Sequence, residues 1–387
     1  MSSQEKWSFE PPLYFMHLAG GIRLLVGSNG QSAFMTAHAN KFITFDVSPF
    51  TTVAALVDEL SGKLDIPCSH VFGFQKFDST EDLERRISES FNYVLPSNIR
   101  ERNPINHVSN WLAIASNSQS GNQSAVCKRI ATQIERTVHR ACALSDCYMN
   151  TLHQQSEVPK EGTISLKNNY DSQKIGLEFT SLLDNLYYLR DALNIFVFRI
   201  LTDESVSFRT TSLLKILKDM DSNLSNLLLS GMNRANGCVK RFSTLRGVAQ
   251  HSMGQVNPTF GDCYSLRKIE AIDGYLYRLI FPLYDDWDAL EKIEKDASKG
   301  IFPTIPKEEY ERFFSESENH VDAFDFGREC FHFLMSVSES IISEFSLNIT
   351  PRRLEQEDII SIEVHDGVGN STLYERDPES GKLEEKS

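Results

Sequence analysis

Between Ser222 and Gly261 the chain has no Asp and no Glu, although 53 of its 387 residues are acidic. At that density a segment of this length would hold about 5 acids. The segment does hold Arg234, Lys240, Arg241 and Arg246, and His251 closes the run Arg246-Gly-Val-Ala-Gln-His251. A guanidinium can grip a phosphate oxygen and stabilise charge growing on a pentacoordinate phosphorus. A nearby imidazole can take a proton from a 2′-hydroxyl when neutral and give one to a leaving oxygen when protonated. This pair of side chains is suited to phosphodiester chemistry that needs no metal.

Residues 236–253 read as a helix, with Gly254 and Pro258 as its stop signals. On a helical wheel, Cys238, Val239, Phe242, Leu245, Val248, Ala249 and Met253 form one broad apolar face. Arg246 falls roughly 75° from the centre of that face and His251 roughly 145° away. His251 is therefore expected outside the core, in a last turn whose dipole favours the imidazolium. The competing interpretation is an ordinary exposed Arg and His at a fraying helix end, and the absence of nearby acids weighs against it. The two side chains diverge on one helix. Two antiparallel copies across a dimer axis would bring two Arg and two His into one cleft.

The elements that must position such a helix are themselves mostly helical. Ile175, Phe179, Leu182, Leu186, Leu189, Leu193, Phe196 and Ile200 recur at spacings of three and four, which marks one long amphipathic helix. Residues 125–153, 209–229, the segment opened by Asp285-Asp-Trp-Asp, and 308–345 also read as helices, the last with a break near Gly327. Gly274–Tyr284 fits a strand or a helix. Near the N-terminus, Ile22–Val26 and Phe42–Val47 read as strands joined through a turn at Gly27-Ser-Asn-Gly30. Helices are expected over 51–64 and from Ser79 to about Tyr93. The polar run Ser116–Ser124 is the best linker candidate. The chain thus divides into a mixed α/β region at 1–120, a helical bundle at 125–350 and an acidic tail at 351–387, with a strand at 359–364 and disorder beyond Asp377.

Other groupings have structural explanations. Asp285, Asp286 and Asp288 suit helix capping better than metal binding. His320, Asp322, Asp325 and His332 lack a metal-site spacing. Gly20-Gly21 and Gly27 match no phosphate-binding loop. Arg129, Arg136, His139 and Arg140 give one helix a basic face that Glu135 interrupts. No nucleophile triad is legible, and neither a metal nor a cofactor is expected. The net charge of −14 and pI near 5.2 argue against broad coating of nucleic acid, so any such contact must be local. Seven cysteines without a C-x-x-C pair suggest reduced thiols. With no signal-peptide pattern and no long apolar run, a cytoplasmic protein that does not span a membrane is expected.

Arg246-x4-His251 near a helix end, among long helices, resembles the HEPN superfamily, whose signature is Arg, four to six residues, then His. The resemblance covers about residues 170–350, including Leu186-Tyr-Tyr-Leu-Arg-Asp191 and the helix around 323–345. It implies a HEPN-like helical bundle and a homodimeric, metal-independent endoribonuclease. Such proteins act in antiphage defence, in toxin–antitoxin pairs or in RNA processing, so an antitoxin or regulatory partner is also implied. Arg246 and His251 would be catalytic, with Lys240, Arg241 and Arg234 binding RNA. The family often places a small polar residue after the Arg, where this chain has Gly247. That departure leaves open a non-catalytic module that binds RNA, a nucleotide or a protein through the same positive surface.

Overall fold

A computed structural model describes most of residues 10–351, with breaks at 36–41, 49–54, 57–70, 87–91, 96–102, 154–163, 166–169, 203–206, 234–236, 252–263, 272–273, 284–285 and 300–320. It also describes the short segments 361–365, 371–376 and 383–385. The fold is mainly helical, with an antiparallel sheet at the N-terminus.

That sheet comprises β1 (Leu13–Leu18), β2 (Arg23–Gly27), β3 (Gln31–Met35), β4 (Phe42–Asp46), β5 (Val71–Phe77) and β6 (Asn92–Tyr93), in the order β4-β3-β2-β1-β5-β6. Alternation sorts its side chains into two faces. Met16, Leu18, Leu24 and Val26 join the main core, while Leu13, Phe15 and Phe77 form a small cluster with Leu25 and Leu83. Leu83 lies on α1 (Thr80–Arg86), which is shorter than the helix expected to reach Tyr93; Tyr93 itself pairs with Gly73 as strand. The expected turn at Gly27–Gly30 is present, with Gly30 at φ 80° and its N–H bonded to the Gly27 carbonyl at 3.1 Å.

Helices follow. Asn103 caps α2 (Pro104–Asn117) by accepting from the Ile105 N–H. The polar run after it is a tight corner and not an extended linker. Ser124 Oγ donates to the Ala115 carbonyl at 2.9 Å, and only three residues separate the end of α2 from the start of α3 (Gly121–His153). These short polar side chains satisfy the backbone groups left at two abutting helix ends. The strand β7 (Ile164–Ser165) precedes α4 (Tyr170–Leu201), which buries its whole stripe from Ile175 to Phe196 against α3 and the final helix.

The expected helix over 209–229 is two, α5 (Thr210–Lys218) and α6 (Asn223–Gly231), because Ser222 accepts from the Ser225 N–H and starts a new helix. Next come α7 (Cys238–His251), the hairpin β8 (Tyr264–Ala271) and β9 (Gly274–Ile280), α8 (Trp287–Ala297) and α9 (Ala323–Glu344). The ambiguous 274–284 segment is therefore a strand over its first seven residues. Gly327 does not break α9: it lets Leu182 approach, since an added Cβ would lie 2.6 Å from its Cδ2. In the tail, β10 (Ser361–His365), β11 (Ser371–Arg376) and β12 (Leu383–Glu385) form a meander, so part of the segment expected to be disordered is strand. Cys127, Cys142, Cys147, Cys238 and Cys330 are all free thiols. Among the described residues no helix is long and apolar enough to cross a membrane.

A buried polar network ties the sheet to the helices. Gly20 and Gly21, at φ 75° and 82°, turn the chain between β1 and β2. A side chain at Gly20 would collide with Arg278 Cγ, and one at Gly21 would crowd the Tyr148 and Met149 backbone. Arg278 crosses this turn to pair with Asp325, which Arg328 also approaches at 3.4 Å. Asp322 caps α9 through the Phe324 and Asp325 N–H groups, and it accepts from the Phe281 N–H at 2.7 Å and Tyr148 Oη at 2.8 Å. Arg23 reaches Asp146 at 3.3 Å. Burial, helped by Arg23, holds His17 well below the usual imidazole range, so it is neutral at pH 7.

Burial and the neighbouring Asp325 charge push the Asp322 carboxyl up to about 6. A folded-state value raised above the unfolded one adds stability at low pH that is lost as pH rises through it. In urea unfolding series across this range, the stability of the natural protein relative to Asp322→Asn is therefore expected to fall as pH rises from about 4 to about 7. A difference that does not change with pH would show that Asp322 does not titrate in this window.

Candidate functional site

The α7 helix is held mainly by α4, α8 and α9 and touches α6 as well. Phe242, Leu245 and Val248 are fully buried, and the helix packs on α4, α8 and α9. Its polar side chains divide, with Ser243, Arg246 and Gln250 toward α4 and Lys240 and Arg241 toward α8.

Arg246 lies on the strip toward α4. Its Nε donates to Asp184 Oδ1 at 2.7 Å, and the same oxygen accepts from Gln250 Nε2 at 2.9 Å. The guanidinium carbon lies 3.9 Å from the Tyr187 ring centroid and 5.6 Å from that of Tyr188. Arg190 also lies 3.9 Å from the Tyr187 centroid, bonds Asp191 at 2.6 Å, and donates to Ser243 Oγ of α7 at 2.7 Å. Arg246 is thus fixed by one charge-assisted bond and an aromatic face. Among the described residues, no acceptor is bonded to its two Nη groups. The Arg246 side chain is mostly buried, at 15% exposure. In such a place an added anion would be screened less than in open water.

Lys240 and Arg241 face the other way. Lys240 Nζ pairs with Glu291 at 3.0 Å, and the Arg241 guanidinium lies 4.9 Å from the Trp287 ring centroid, both on α8. Gly247 faces the same helix, and a Cβ there would sit 2.0 Å from Glu294 Oε1. Its small size thus serves the close packing of α7 on α8 within one chain. His251 is the last residue of α7, one turn beyond Gly247, and its side chain lies outside the described residues. Arg234 and the expected stops Gly254 and Pro258 lie outside them as well.

The other candidates resolve into structural roles. Asp286 caps α8 by accepting from the Ala289 N–H at 3.0 Å. Asp322 and Asp325 belong to the buried network, and His332 meets Tyr93 Oη at 3.5 Å. Arg140 pairs with Glu178 at 3.1 Å. His320 and Asp285 lie outside the described residues, among which no group of His, Cys, Asp or Glu is arranged to hold a metal ion. Two concavities lie elsewhere: one of about 360 Å³ beside His107 and Glu339, another of about 210 Å³ beside Tyr93 and Cys142. Arg246 lines neither of them. Burial pushes the Cys142 thiol up to about 12, which makes it unreactive at neutral pH.

Asp184, Tyr187, Tyr188 and Gln250 are the residues to which the sequence alone assigned no role at the site. Their signal was faint: on α4 the first three fall between the apolar positions of the buried stripe. The chain matches no protein-family model, no curated protein and no solved structure.

Two outcomes test this geometry. In a double-mutant cycle of Asp184→Ala and Arg246→Ala read by urea unfolding, a coupling of about 1 kcal/mol is expected; additive effects would dissolve the pair. Gly247→Ala sets a Cβ against Glu294 from Oε1 back to Cγ, so that side chain must swing away, while the helix gains propensity; the two effects oppose each other, and stability should stay within about 1 kcal/mol of the natural protein.

Proposed function

We propose that this protein is a metal-independent endoribonuclease of HEPN type, with Arg246 and His251 as its catalytic residues. The observation that carries the reading is the way Arg246 is held. Asp184 takes its Nε, Tyr187 supports its face, and the forked Nη pair is left for an acceptor that the described residues do not supply. A guanidinium fixed at one edge offers two parallel N–H donors at the other, a geometry that suits two oxygens of a phosphate.

In the proposed reaction a neutral His251 takes the proton from a ribose 2′-hydroxyl, and the 2′-oxygen attacks the adjacent phosphorus. The bond to the 5′-oxygen breaks, and a protonated His251 supplies the proton that oxygen needs. Arg246 stabilises the extra charge on the phosphoryl oxygens. One fragment ends in a 2′,3′-cyclic phosphate and the other in a 5′-hydroxyl. Because positions 246 and 251 are about 140° apart around a helix, the site is completed by a second copy, one His acting as base and the other as acid. Gly247 packs against Glu294 and supplies no polar side chain where the family often has one. Roles in antiphage defence or with an antitoxin partner follow from the same resemblance. Of the RNA-binding candidates, Lys240 and Arg241 are engaged by α8, which moves the weight of RNA contact to the α4 side of α7.

A second reading, a non-catalytic RNA-binding module, draws on the same Arg246 geometry, and the Asp184 pair favours it because it offsets part of the Arg246 charge. Incubation of single-stranded RNA with the full-length protein in EDTA separates the two. Cleavage leaving cyclic phosphate ends is expected, reduced at least about 100-fold by His251→Ala and by Arg246→Ala. Cleavage that both variants leave unchanged would exclude the assigned residues, and binding without cleavage would establish the second reading.

A further inference from the structure

Tyr188 stands next to Arg246 at the surface of α4. It is 40% exposed, while the apolar residues around it on α4, Leu186, Leu189 and Ala192, are buried. Its ring meets Tyr187 edge-on, with centroids 6.2 Å apart and planes at 87°, and the Arg246 guanidinium carbon is 5.6 Å from its centroid. An exposed aromatic ring has a hydration cost that burial under another flat apolar group would remove. Tyr187 next to it already bears Arg190 and Arg246 against its ring, so of the two tyrosines Tyr188 is the one with surface to offer. Asp184 lies one turn earlier on the same face of α4, and its charge is offset by Arg246.

We propose that Tyr188 is the stacking platform for a nucleobase of single-stranded RNA, placed so that the adjoining phosphate reaches the Nη groups of Arg246. This inference rests on the reading of Arg246 as the phosphate-holding residue. It narrows the substrate to RNA whose bases can leave their stack, because a paired base has no face free for the tyrosine. The arrangement tolerates any base, since every base presents a π-face, and it calls for no base-edge hydrogen bond.

The test is fluorescence anisotropy with a labelled single-stranded oligoribonucleotide and an abasic ribose-phosphate chain of the same length. It uses full-length protein carrying His251→Ala so that the RNA stays intact. Adding Tyr188→Ala should weaken binding of the oligoribonucleotide about tenfold, while Tyr188→Trp restores it and the slope of affinity against salt stays the same. The abasic chain should bind equally with and without Tyr188→Ala, an equality that a merely structural role for Tyr188 would not produce. Adding Arg246→Ala should weaken both ligands. If Tyr188→Ala binds the oligoribonucleotide as tightly as its parent while Arg246→Ala does not, the platform is overturned and the Arg246 reading stands. If the protein with tyrosine and arginine intact binds neither ligand, and the natural protein cleaves no RNA, both fall together.

Discussion

The rotation of α4 about its own axis governs much of this molecule. Ile175, Phe179, Leu182, Leu186, Leu189, Leu193 and Phe196 are each 1% exposed or less, and burying each such side chain is worth about 1.5–3 kcal/mol. Turning the helix by even one residue position, about 100°, would expose most of the stripe. The helix is therefore locked in phase. Once that phase is set, Asp184, Tyr187, Tyr188 and Arg190 have no freedom to be elsewhere, and they form the surface on which α7 lays Arg246 and Ser243. The same face of packing admits α9, whose Gly327 leaves room for Leu182.

Charge in this protein is organised across helices and not along them. The acid-free segment reads as a block of positive charge in one dimension. In three dimensions Asp184 and Glu291 come from elements roughly 50 to 60 positions away in the chain and pair with Arg246 and Lys240. An ion pair that is partly buried also orients its members, and orientation is what separates a guanidinium that merely carries charge from one that presents a fork. The absence of acids within the segment then has a physical sense. An acid placed one turn from Arg246 on α7 would be a second local partner for the guanidinium beside Asp184.

The second organising feature is the network around Asp322. One carboxylate caps α9, receives the Phe281 N–H that extends β9, and holds the Tyr148 hydroxyl of α3. Three elements remote in sequence are thereby placed in one register. Buried polar groups are costly unless satisfied, so such a network penalises any arrangement that leaves Asp322 or Arg278 unpaired. It anchors the N-terminal sheet to the helices through the Gly20-Gly21 turn, where only glycine fits both the backbone angle and the crossing of Arg278.

Much of this architecture was legible in the chain alone, because periodicity is local. The apolar spacing of α4, the helical character of α7 over its described residues, the Gly27–Gly30 turn and the Asp286 cap all depend on neighbours a few positions away. What was not legible is whatever depends on a remote partner. Strands β1, β3 and β5 carry mixed patterns that become strands only by pairing with one another. The break between α5 and α6 depends on a Ser222 cap that competes with helix continuation, and the run from Ser116 to Ser124 is a corner because two helices pack there. At the candidate site the sequence determined that an arginine and a histidine share one helix and leave it in different directions, since helical geometry alone decides that. Only the tertiary structure decided which acid and which ring hold the arginine, that the tyrosine next to it stays exposed, and that Gly247 is small for the sake of Glu294. Those outcomes are set by the packing of whole helices, and no single stretch of sequence contains them.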